Sequence, residues 1–288
     1  MAEIFGTITG ALNVAALFNN CVECFEYIQL GRHFGRDYET CQLKLDIAMT
    51  RLSRWGQAVD INSDAHFATD SPDDKRVQLA QSILEQIVLL FQSSQKTSKR
   101  YEMTAEQQDL VLYSENDMGS VSRGWHNRLW ELVRRGRKST GLVKKTAWAL
   151  YDGKAFERMV NQIKDFVDEL EKVFPVESAC RRLAEIEIEE VEDEPRLAVL
   201  RDAAEDVDPV LAGAVAEKVQ TIAGRNSANE VKVEERARIQ VGSRFSEAVL
   251  VRGIAVTDRT ENSVDRAEGK GDARIQIGNR YGGTRLDD

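Results

Sequence analysis

What this sequence lacks narrows its possibilities first. Four cysteines and three histidines in 288 residues are too few for a disulfide scaffold or a multi-metal protein. An excess of base is missing too. The 39 Lys+Arg stand against 48 Asp+Glu, a formal charge of −9 at pH 7, which argues against a nucleic-acid binder that neutralises phosphates along its whole surface. A mean hydropathy of −0.41 excludes a polytopic membrane protein. No Walker A loop, dinucleotide fingerprint, GxSxG elbow or HExxH helix occurs, so neither an enzyme nor a bound cofactor is expected. Cys21 and Cys24 form a lone CxxC inside an apolar run, with Cys41 and Cys180 scattered elsewhere, and read as structural rather than as a zinc or redox site. His33, His66 and His126 show no ligand spacing.

The shortages are uneven. Every Trp, Cys, Met and Pro lies before residue 210. Residues 225–288 hold 12 Lys+Arg and 11 Asp+Glu, net +1, which leaves 27 and 37, net −10, for residues 1–224. Two materials are joined end to end, and a boundary is expected at 224/225.

The first material reads as helical. Leu45, Ala48, Leu52, Trp55 and Val59 fall on one helical stripe. Ser71-Pro72-Asp73-Asp74 is a start signal, with Ser as the N-cap, ahead of Ala80, Ile83, Ile87, Leu90 and Phe91. A helix from near Asp152 runs through Phe156, Val160, Ile163, Val167, Leu170 and Phe174 and stops before Pro175. Leu183, Ile186 and Val191 follow in a stretch with seven acids between Glu185 and Glu194. Those acids read as a solvated run, too many to single out an acid–base couple. Asp208-Pro209 opens a last helix along Leu211, Val215, Val219 and Ile222, with Gly224 closing it. An all-α bundle of roughly seven to nine helices is the expected fold.

The second material repeats itself. Asn226–Phe245 and Asn262–Tyr281 are offset by 36 residues and share eight of twenty positions: Asn226/Asn262, Ser227/Ser263, Ala237/Ala273, Arg238/Arg274, Ile239/Ile275, Gln240/Gln276, Gly242/Gly278 and Arg244/Arg280. The differences inform more than the identities. Glu230 faces Arg266, Lys232 faces Glu268, Glu234 faces Lys270 and Arg236 faces Asp272, four charge reversals at one offset. If one repeat lies above the other, about 4.7–4.9 Å away, each reversal becomes a cross-strand ion pair. Such exposed pairs contribute only about 0.2–1 kcal/mol each, but a one-residue slip loses them all and turns the apolar set outward. Asn226 over Asn262 would add an amide ladder. Ala237, Ile239 and Val241, with Ala273, Ile275 and Ile277 in the second repeat, alternate with polar residues and define an expected core face. Two rungs with only Leu250 and Leu286 as leucines make too small a core to offset the ordering of the chain. Residues 225–288 are therefore expected to be disordered in the monomer and to form a two-rung β-solenoid amyloid on assembly. A solvated, charged tail is the plainer alternative.

Ile4–Val22 carries no charge for 19 residues, and no Lys or Arg precedes Arg32. A signal peptide needs a basic n-region, so this is not one. Asn13, Asn19 and Asn20 speak against a constitutive transmembrane helix. Two readings stand: a buried core helix, or a segment buried at rest and inserted into a bilayer when the domain opens. Ile4, Phe5, Gly6, Gly10, Leu12, Val14, Leu17, Phe18 and Val22 would form that membrane segment, with Gly6 and Gly10 at GxxxG spacing. The basic residues Arg134, Arg135, Arg137, Lys138, Lys144 and Lys145 could touch anionic headgroups or form a solvated face.

The chain resembles, over essentially its full length, the HET-s/HET-S family of fungal heterokaryon-incompatibility proteins. The resemblance rests on Gly10–Tyr27 (GALNVAALFNNCVECFEY), Leu30–Glu39 (LGRHFGRDYE), Arg51–Gly56 (RLSRWG), Lys144–Lys154 (KKTAWALYDGK), Ala184–Glu194 (AEIEIEEVEDE) and the paired repeats. It implies an α-helical HeLo domain over residues 1–224 and a prion-forming domain over 225–288. It also implies a programmed-cell-death executor: amyloid templating destabilises the helical domain, which inserts its N-terminal segment into membranes as a pore-forming toxin. The partners implied are further copies of the chain through the repeats, a prion-form homologue, a nucleotide-binding receptor with a matching repeat, the membrane on activation, and a second helical domain as a homodimer. Location would be cytoplasmic at rest and at the cell membrane after activation. His33 resembles the toxic, non-prion allele type. The resemblance also implies an aromatic-rich segment packing on the solenoid after the second repeat; here Tyr281 stands, while Thr284–Asp288 has no Trp or Phe. A prion-type signalling or adaptor module, binding a repeat-bearing receptor without membrane activity, is the second reading.

Overall fold

The computed structural model describes residues 13–69, 73–136, 147–223, 226–235, 237–242, 244–245, 262–278 and 280–281. The chain forms two compact units, Met1–Val215 and Ala216–Asp288.

The first unit is built around one helix. The helices are α1 (Val14–Cys24), α2 (Tyr38–Ala58), α3 (Lys75–Glu102), α4 (Ser120–Gly136), α5 (Gly153–Val173), α6 (Glu177–Ile188), α7 (Glu194–Ala204) and α8 (Pro209–Ala223). The unit division falls inside α8 rather than at Gly224, which lies outside the described residues. Short polar side chains start the helices by accepting backbone N–H groups: Asn13 for α1, Asp74 for α3, Asp152 for α5 and Asp193 for α7. Asp74, not Ser71, therefore caps α3. The Asp74 carboxylate, next to Lys75, accepts the Arg76 N–H at 2.7 Å, so the helix starts three residues later than the Ser-Pro signal implied.

α2 is buried without a break from Leu45 to Gly56. A helix covered on all sides occupies the centre of the core, and its polar residues must find partners inside the protein. Trp55, at its C-terminal end, is fully buried and lies 6.2 Å from Phe18 of α1 and 6.5 Å from Phe174 after α5, ring centre to ring centre. A parallel two-stranded sheet crosses the bundle, which periodicity did not reveal. In it β1 (Ile28–Leu30) pairs with β2 (Trp148–Leu150), Ile28 opposite Trp148 and Leu30 opposite Leu150.

Among the described residues the second unit holds six strands in three parallel pairs. β3 (Asn226–Val233) lies beside β6 (Asn262–Gly269), β4 (Arg238–Val241) beside β7 (Arg274–Ile277), and β5 (Arg244–Phe245) beside β8 (Arg280–Tyr281). The chain thus makes one coil and repeats it.

Candidate functional site

The pairing of the two coils runs at the single offset of 36. Asn226 lies opposite Asn262, Glu230 opposite Arg266, Lys232 opposite Glu268, Ile239 opposite Ile275 and Val241 opposite Ile277. The corners repeat as well. Glu235 and Gly271 share a left-handed φ, at 61° and 71°, and Gly242 and Gly278 stand at 148° and 129°. A Cβ at Gly242 would run into the carbonyl of Gly278, so this corner closes to rung spacing only without a side chain. Backbone bonds link the coils through the corners, Lys270 N–H to Val233 O at 2.9 Å and Gly278 N–H to Val241 O at 2.9 Å.

The charges follow that frame in part. Lys270 Nζ lies 3.6 Å from Glu234, and Arg266 lies 3.9 Å from Glu230. Lys232 sits over Glu268 in backbone register, but its ammonium binds Glu230 on its own strand, at 2.8 Å. Asp272 is exposed in its turn, whereas Arg236 lies outside the described residues. The expected core face is open in the single chain. Ile239 is 36% exposed and Ile277 47%, Ala237 is exposed, and Val241, Ala273 and Ile275 are half-buried. Among the described residues of the coils, Val231 and Val233 are buried. Among the described residues each strand of one coil pairs with a single strand of the other, so one edge of each coil has no described strand beside it.

Of the N-terminal segment, Ile4, Phe5, Gly6, Gly10 and Leu12 lie outside the described residues. The remainder is α1, in which Val14, Leu17, Phe18 and Val22 are at most 2% exposed. The asparagines that spoke against a membrane span are used inside the fold: Asn13 caps the helix, and Asn19 donates to Ala15 O and to Asn62 Oδ1, both at 2.7 Å. Cys21 and Cys24 are buried and form no disulfide, and the Cys21 thiol donates to Leu84 O on α3. Phe25 meets Phe91 edge-on at 5.0 Å. Among the described residues no helix is long and apolar enough to cross a membrane. His33 sits on a turn after β1, 42% exposed, edge-on to Tyr101 and 3.7 Å from Asp109. Of the basic stretch, Arg134 lies over the Trp130 ring and Arg135 pairs with Glu131; the other four residues lie outside the described residues.

Two family descriptions match separate stretches of this chain. The HeLo family, described as prion-inhibition and propagation, matches residues 6–200, and the family described as Het-s 218-289 matches residues 218–282. The chain belongs to the HET-s/HET-S family. It is 60% identical over 283 residues to heterokaryon incompatibility protein s of Podospora anserina, 98% of each chain, and 58% identical over the same length and coverage to heterokaryon incompatibility protein S of that fungus. The solved HET-s N-terminal domain superposes with a TM-score of 0.73 at 62% identity, covering 74% of this chain and all of that one. A doubly substituted form of the same domain gives 0.71 over 73%.

This member of the HET-s/HET-S family also buries charges that sequence reasoning missed. Arg54 of α2 grips Glu187 of α6 with Nε and Nη2, at 2.8 and 2.6 Å, and donates Nη1 to Asp208 at 2.7 Å. Arg51, one turn earlier, binds Asp168 and Glu171 of α5 at 2.6 Å each and donates to Val207 O at 3.0 Å. Glu187 is thus no solvated acid. Its burial raises its pKa, against the pull of Arg54. Asp46, also wholly buried on α2, has its pKa raised by burial and accepts from His126 Nδ1, Trp130 Nε1 and Gln42. His126 reaches Glu115 with its other nitrogen, at 3.2 Å. Burial opposes charge on this imidazole, but the two carboxylates outweigh it and raise its pKa above the ordinary 6.5. A signal was available for Glu187: Ala184, Glu187, Ile188 and Val191 keep the i, i+3, i+4, i+7 spacing of one buried face.

Proposed function

We propose that this protein executes heterokaryon incompatibility by a templated change in its tail. Copies of the chain, or a partner carrying one matching repeat, stack on the open faces of the paired coils. The ordered tail then loosens the helical unit, and the charge-free N-terminal segment, whose described part is α1 packed on α2 and α3, moves into a membrane. The observation that carries the reading is the coil pair itself: two repeats in parallel register, each with one edge that no described strand pairs. Parallel in-register stacking extends such a pair without limit, because each added coil satisfies the backbone of the one before.

On this reading the protein rests in the cytoplasm and reaches the cell membrane after activation. Its partners are its own copies, a prion-form homologue and a nucleotide-binding receptor with a matching repeat. His33, exposed at the surface, marks the toxic allele type rather than the prion type. The helical unit pairs with a second copy as a homodimer. The first test mixes full-length protein with dye-loaded vesicles and adds fibrils of residues 219–288. Leakage above the fibril-only control is the expected result. Assembly of the tail without leakage would replace this reading with an adaptor that binds a repeat-bearing receptor and leaves membranes alone. The observation favouring that alternative is α1, 11 residues long with eight of them buried.

A further inference from the structure

The two guanidinium groups of Arg51 and Arg54 face four carboxylates: Asp168 and Glu171 from α5, Glu187 from α6, and Asp208 at the start of α8. Arg54 is 2% exposed and Asp208 is fully buried. Asp208 has two duties. It accepts the Arg54 guanidinium through Oδ2, and it caps α8 by accepting the Leu211 N–H through Oδ1 at 3.1 Å. Breaking a buried ion pair is ordinarily prohibitive because it strands the remaining charge. At this joint it does not. If α8 withdraws and takes Asp208 with it, Arg54 keeps Glu187 in a two-point grip, and Arg51 exchanges one carbonyl but keeps Asp168 and Glu171. The departing carboxylate enters water, and crowding among the four acids eases.

We infer that the Arg54–Asp208 contact is a release catch, which lets α8 detach as a unit while both arginines stay neutralised by helices that do not move. The inference deepens the reading under which the tail opens the helical unit, and rests on it. The two acids on Arg54 have opposite roles. Asp208 is the part that lets go. Glu187 makes letting go tolerable, because without it withdrawal of Asp208 would leave Arg54 buried with no carboxylate. The apolar side of α8, Leu211, Ala214 and Val215, is buried as well, so the catch sets how readily a packed helix is freed rather than holding it alone.

Hydrogen exchange on the full-length chain tests this with α5 as the internal reference. Asp208→Asn keeps a capping side chain but removes the charge, and should speed exchange along α8 by about tenfold, the loss expected for one charged hydrogen bond. Glu187→Gln should slow α8 relative to α5. Faster α8 exchange in both variants would mean that the acids merely brace the joint, and would overturn the catch, as would an unchanged rate in Asp208→Asn. The unaltered chain gives an independent reading: its α8 amides should open with weaker denaturant dependence than those of α2, and joint opening of α8 with α2 overturns the inference even if a variant fails to fold. None of these measurements reads vesicle leakage. A chain with a separate α8 opening and no leakage overturns the membrane reading alone, and a leaky chain with joint opening overturns the catch alone.

Discussion

One absent side chain governs how closely α1 lies on α2. A Cβ on Gly56 would enter the ring of Phe18, and both that ring and Trp55 beside it are buried. Gly56→Ala should lower stability by about 1–3 kcal/mol through overpacking, and the melting temperature should fall by several degrees. An unchanged melt would show that the ring can move aside at no cost. His126 supplies a second residue-scale prediction. Its pKa is raised in the fold, so its stabilisation is complete below its ordinary value and is lost as pH rises through the raised one. Stability to urea should therefore decline as pH rises above the ordinary 6.5, and His126→Gln should flatten that slope. A slope unchanged by the substitution would exclude Asp46–His126–Glu115 as its source. Neither feature was legible beforehand. Gly56 follows Trp55 in a stretch that reads as ordinary helix, and His126 meets carboxylates 80 and 11 positions away, a pairing that only the tertiary fold creates.

At the scale of elements, the helices with strong start and stop residues were legible. Asp152 and Pro175 bracket α5 closely, and Asp208-Pro209 opens α8. The β1–β2 sheet was not legible, because three-residue strands separated by more than a hundred residues leave no periodicity to read. Ile186 also departs from its expected place. It is 51% exposed, since α6 turns Ala184, Glu187 and Ile188 inward instead. The coils lie at the other extreme, because a sequence read against itself at a fixed offset already states their register. Here Lys270→Glu should slow fibril elongation by up to about fivefold, in keeping with the small worth of an exposed pair, and adding Glu234→Lys should restore it. Thioflavin fluorescence of seeded samples reads both rates. If the second change fails to rescue the first, Glu234 and Lys270 are not neighbours in the assembled state.

For the molecule as a whole, composition separated the two materials before any fold was considered, since the acidic surplus and every Trp and Pro precede residue 210. The ion-pair joint at the root of α8 stayed hidden because its members come from four distant stretches, and one of them lay disguised in an acidic run. A further consequence lies in the complementarity of the coils. The first presents acid, base, acid at Glu230, Lys232 and Glu234; the second presents base, acid, base at Arg266, Glu268 and Lys270. A column of such chains cannot have two equal tips. One tip offers the first pattern and the other its inverse, so a newcomer arrives by a different coil at each. Propagation through such a column has a heading, and its two directions are separate reactions.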